Sequence, residues 1–145
     1  MERIERTALR NLIHNEEYSR KVLPFIKEDY FSDRLERLLF KEIYKFITKF
    51  NALPTKEALS IEINDSKDIN EDEYKKVTDI IATLNPEKIN LEWLVETTEK
   101  FCKDRAIHNA ILSGIQIIDG KDKKHTPEYL PDLLSDALSV SFDQK

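Results

Sequence analysis

Glycine is scarce in this 145-residue chain, which has only Gly114 and Gly120. Two glycines cannot build a glycine-rich phosphate cradle, and no GxxxxGK(S/T) run is present. Cysteine is scarcer: Cys102 stands alone, which excludes an intrachain disulfide and suits a reducing compartment. No CxxC and no HExxH occurs, and none of His14, His108 and His125 has the glutamate three residues earlier that a di-iron carboxylate bundle needs. The expectation is therefore no catalytic residue, no metal and no cofactor in this chain. No apolar run approaches the roughly 20 residues that span a bilayer, so no membrane partner is expected. The opening Met1-Glu2-Arg3-Ile4-Glu5-Arg6 is charged from the outset, unlike a signal peptide, and a cytoplasmic location is expected. Positive charge is also in deficit. The net charge of −5 argues against a dedicated nucleic-acid binder but leaves room for a local basic patch.

What is present is helix-forming sequence, with charged residues at 35%. The length suits one domain, able to bury about two-thirds of its unfolded surface. The longest uninterrupted helical stretch is Leu91 to Asp119, about 40 Å if continuous. One of its faces carries Leu94, Thr98, Phe101, Arg105, His108, Leu112 and Ile115. A second carries Leu91, Val95, Cys102, Ala106, Ala110 and Ile117, and from Ile107 onward Ile111 and Ile118 widen the arc. A surface helix buries a stripe of roughly 100°. A wider apolar arc calls for neighbours on two sides, one of them a second copy of the chain.

The rest of the chain reads as short helices. Ile4, Ala8, Leu9, Leu12 and Ile13 make a first stripe, with Asn15 as a break or as the cap of the next helix. A second helix carries Tyr18, Val22, Leu23 and Ile26, with Pro24 near its end. Tyr30-Phe31 form a connector tucked into the core. Ser32 or Asp33 caps a third helix reaching Phe50, with Leu35, Leu38, Leu39, Ile43, Phe46 and Ile47 on its stripe and Phe40 and Tyr44 beside it. After the turn at 51–54, Thr55 caps a fourth helix. Asn70 caps a fifth with Glu71-Asp72-Glu73 in its first turn, where the helix dipole favours carboxylates. Asn90 caps the long helix and Gly120 stops it. Thr126-Pro127 and Leu130-Pro131 each resemble a helix start, and the main last helix is expected over about 131–140. The expected fold is all-α: a small globular bundle over 1–90, then a helical hairpin over 91–145. The terminal Val140 to Lys145 lacks a helix stop signal, which suggests that a longer chain continues beyond it.

Single residues are weighed against plainer roles. Cys102 fits a small buried hydrophobe better than a nucleophile. Glu92, Glu96 and Glu99 fit a solvated face, with Glu96–Lys100 and Glu99–Lys103 as ion pairs four residues apart. Arg105, set within an apolar register, is expected to pair with a carboxylate or a partner's carbonyls. Trp93 is expected to pack on the shorter helices rather than to stand exposed as an anchor for a partner. The expected contact between copies comprises Phe101, Arg105, His108, Ile111, Leu112, Ile115, Leu134 and Leu138. Lys121, Lys123 and Lys124 form a weak candidate for touching phosphates.

Several runs together resemble a known family. Trp93-Leu94-Val95, Thr98-Glu99-Lys100, Arg105-Ala106 and Asn109-Ala110, the closing Ala137 to Asp143, the Tyr30-Phe31 connector, and Pro54 with Ala58-Leu59 resemble the N-terminal domain of DnaB-type replicative DNA helicases of tailed phages. The resemblance implies a helical domain whose hairpins pair between subunits and form a collar on a hexameric ring. It implies primase as a docking partner, weak or indirect contact with DNA, and the host cytoplasm as location. It also implies a separate motor domain, absent from this chain, that binds ATP and Mg. The alternative is a stand-alone phage replication adaptor or helicase loader that binds nucleic acid through the basic loop.

Overall fold

The computed structural model describes residues 3–142. Among them are seven α-helices and no strand. Those helices are α1 (Ile4–His14), α2 (Glu16–Val22), α3 (Arg34–Phe50), α4 (Lys56–Asn64), α5 (Glu71–Thr83), α6 (Leu91–Ile118) and α7 (Leu130–Leu138). Two single 3-10 turns, Glu28–Tyr30 and Pro127–Tyr129, join them to their neighbours. Of the expected Val140 to Lys145 ending, Asp143, Gln144 and Lys145 lie outside the described residues, as do Met1 and Glu2 of the opening.

Helix starts follow local chemistry. Asn15, Asp33, Thr55, Asn70 and Asn90 each accept a hydrogen bond from the backbone N–H three residues on, satisfying a donor that the first turn orphans. Asn70 and Glu73 complete a reciprocal capping box. Asn51 ends α3 and Gly120 closes α6, both in the left-handed conformation. The last helix starts one residue earlier than expected and stops two residues sooner, at Leu138. The 3-10 turn at Pro127 feeds directly into it, so both prolines fall in first turns, where a missing N–H costs nothing.

The core gathers Leu9, Leu12, Tyr18, Leu39, Ile43, Leu59, Val77, Ile81, Leu84, Leu94 and Cys102, all without exposed surface or nearly so. The first half of α6 therefore belongs to the globular bundle as much as to the hairpin. One buried polar link ties the two. The Tyr18 hydroxyl lies 2.7 Å from Thr98 Oγ1, which itself donates to the Leu94 carbonyl at 2.7 Å. Thr98's proton is thus already committed, so Tyr18 is the donor. Burial pushes the Tyr18 hydroxyl far above its ordinary pKa.

Three expectations about α6 are corrected. Trp93 is not packed on the short helices; it is 53% exposed. Glu99 does not turn to Lys103. Its carboxylate accepts the Phe142 N–H at 2.6 Å and the Ser141 hydroxyl at 3.4 Å, while the Phe142 ring stacks on Phe25 at 5.3 Å. The chain following α7 is thereby fastened to the bundle. Glu96–Lys100 is likewise not among the ion pairs within 4 Å of the described residues.

Candidate interface on the helical hairpin

Past Asn109 the long helix runs beyond the bundle, and α7 returns along it. The two helices meet at a seam of small residues. Ala110, Gly114, Ile117 and Ala137 are buried there. A Cβ on Gly114 would lie 3.2 Å from Leu130 Cδ2, the tip of a side chain on α7. The narrow seam leaves most of the hairpin's apolar side chains outside it. Ile111 is 52% exposed, Leu112 50%, Ile115 47%, Ile118 67% and Leu138 61%. Leu134 is exposed beside them. Residues 111, 115 and 118 fall on one face of α6 by helical spacing. Six of the ten exposed large hydrophobics among the described residues thus gather in one apolar strip, and exposed patches of that kind mark contact sites.

The eight expected contact residues divide. Ile111, Leu112, Ile115, Leu134 and Leu138 stand on the exposed strip, and His108 is exposed beside it. Two turn inward instead. Phe101 packs edge-on against Phe31 with ring centroids 6.2 Å apart. Arg105 donates through Nε to the Tyr30 carbonyl at 3.0 Å, within its own chain. Asn109 completes that clamp on the Asp29 carbonyl at 2.9 Å. Both corrections have one cause. The 3-10 turn before Phe31 presents carbonyls to α6, and nothing in the helical periodicity announced it. Ile118 joins the strip, although it stood outside the expected set.

The loop at the hairpin's tip is built around Asp122. Its carboxylate accepts from the Lys124 and His125 backbone N–H groups at 2.7 and 3.2 Å, and the His125 ring lies 3.0 Å away. His125 also stacks on Tyr129 at 4.2 Å. The His125 contact and the two amides hold the Asp122 carboxyl below its ordinary range. Lys121, Lys123 and Lys124 project into solvent around it.

Cys102 is fully buried, and burial pushes its thiol up to about 12, so it is a packing residue with no thiolate at neutral pH. Among the described residues no group of three or more His, Cys, Asp or Glu is placed to hold a metal ion. No helix among them is long and apolar enough to cross a membrane.

No protein-family model matches the chain. Over 143 residues, 93% of this chain, the sequence is 31% identical to the DnaB-like replicative helicase of Enterobacteria phage T4. The chain is similar to a phage replicative helicase. It spans 30% of that DnaB-like relative's length. The positions that carried the resemblance to DnaB-type helicases also meet in space: Arg105 and Asn109 both grip the turn that leads into Tyr30-Phe31.

Proposed function

We propose that this chain is a non-catalytic oligomerisation and docking domain of a hexameric phage replicative helicase. The observation that carries the reading is the apolar strip of Ile111, Leu112, Ile115, Ile118, Leu134 and Leu138, about half exposed in the single chain. Burying a wholly exposed aliphatic side chain stabilises by roughly 1.5–3 kcal/mol. Covering the exposed half of each contributes about 1 kcal/mol per residue, and a twofold contact counts it on both copies. Hairpins pair in this reading, and the pairs form a collar that primase docks on. ATP and Mg are bound by the motor part of the parent protein, in the host cytoplasm.

Light scattering across a concentration range tests self-association. Mass should rise with concentration for the native chain. Ile115→Asp and Leu138→Asp should hold it at monomer mass, with circular dichroism and the urea midpoint unchanged. A strict monomer at high concentration, or variants that unfold, would refute the interface.

A second reading rests on the tip loop. The Asp122 carboxylate is occupied by its own loop, which leaves Lys121, Lys123 and Lys124 free to face phosphates. An adaptor or loader that used them would bind DNA in a salt-dependent way, and replacing all three with alanine would abolish that binding.

A further inference from the structure

Away from the hairpin, the outer side of α3 borders a groove made of two adjoining clefts. A cleft of about 290 Å³ lies between α2 and the end of α3, and one of about 450 Å³ lies between the Leu23–Glu28 segment and the middle of α3. Leu23, Pro24 and Tyr44 wall both, so the two clefts adjoin along α3. The groove's floor is apolar, with Ile26, Phe40 and Ile47 beneath a Tyr44 ring that is 43% exposed. Its charge is uneven. Around the larger cleft stand Lys27, Lys41 and Lys45 against Glu28, with Glu42 paired to Lys45 at 3.5 Å, a local excess of one positive charge on a chain of net −5.

We infer that this groove receives an acidic, amphipathic segment of a partner protein, with apolar side chains over Tyr44, Leu23 and Pro24 and carboxylates toward Lys27, Lys41 and Lys45. An apolar floor with lysines gathered at one end is the complement of such a segment. Single-stranded nucleic acid is a poorer fit. It needs a run of stacking rings and cations along a whole track. Here one ring is exposed, and the arginines further along α3 are engaged. Arg34 holds Glu73 at 2.9 Å and the Asp68 carbonyl at 2.8 Å, and Arg37 donates to the Phe31 and Ser32 carbonyls. The groove shares no residue with the hairpin strip, so the inference stands apart from self-association.

The test is selection of a random dodecapeptide display library on the full chain, with every enriched clone carried forward. The peptides are synthesised and their Kd measured by fluorescence anisotropy. Enriched peptides should combine aspartate or glutamate with aromatic or aliphatic residues. Lys41→Glu with Lys45→Glu should weaken them about tenfold or more, as should Tyr44→Ala alone, with circular dichroism unchanged. Lys123→Glu with Lys124→Glu should leave Kd where it was. No enrichment, enrichment of basic peptides, or binding indifferent to the groove variants would overturn the inference. Oligo-dT binding that those same variants abolish would assign the groove to nucleic acid instead.

Discussion

Glu36 has no exposed surface, yet it carries a carboxylate in the first turn of α3. Arg3 and Arg6 both reach its Oε2, at 2.6 and 3.1 Å, while Oε1 finds no partner. Its partners sit nearer the surface, so removal would leave two arginines able to rejoin water. Glu36→Ala should therefore cost about 1–3 kcal/mol, less than stranding a wholly buried charge. A urea titration measures it; an unchanged midpoint would show that the orphaned Oε1 cancels the two ion pairs. Nothing in the sequence singled this residue out, because a glutamate near a helix start is read as a dipole partner facing solvent. Cys102 and Tyr30, together with the buried Tyr18, set the response to alkali. Burial, the largest cause in each, pushes Cys102 and Tyr30 up to about 12 and Tyr18 far up as well, while the unfolded chain ionises them near their ordinary values of 9.0 and 10.0. Above those values the folded state holds more protons than the unfolded one, so stability falls as pH rises. The urea midpoint should be flat to about pH 8, then drop through pH 9–11. A rise over that range would contradict the burial of these groups.

At the level of helices, most of the fold was legible. Asn15, Thr55, Asn70 and Asn90 announced themselves as caps and do cap. What was not legible was the 3-10 turn Glu28–Tyr30, since three residues show no period, whereas the Thr126-Pro127 start marked the other. The inward turn of Phe101 and Arg105 follows from the former. Periodicity could not separate that half of the α6 arc, which the chain covers itself, from the half it leaves open. The α6–α7 seam gives two contrasting predictions. Alanine at Gly114 would meet only the tip of Leu130, which can shift, while gaining helix propensity. Gly114→Ala should thus raise stability by up to about 1 kcal/mol. Gly120 has φ of 74° and nothing within 4 Å of a Cβ, so Gly120→Ala should lose about 1 kcal/mol purely through the backbone. Thermal melts of both variants check the pair, and the same sign for both would be wrong. The fastening of the chain after α7 is separable as well. Glu99→Ala should speed hydrogen exchange at the Phe142 amide and leave the core amides protected.

Taken whole, the chain exposes two unlike surfaces on different helices: the aliphatic strip on α6 and α7, and the lysine-edged groove on α3. If both are used, the Ile115→Asp variant should lose self-association and still bind the selected peptides. Loss of both together would mean that the groove forms only in the assembled state.

The Tyr18–Thr98 link lies deep in the bundle, and Ile118 ends the same helix some 30 Å away at 1.5 Å per residue. No proline breaks that span, and its one glycine is packed against Leu130. The helix is therefore a mast stepped into the hull rather than a rope tied to it: whatever seats on its far end is held at a set distance from the keel.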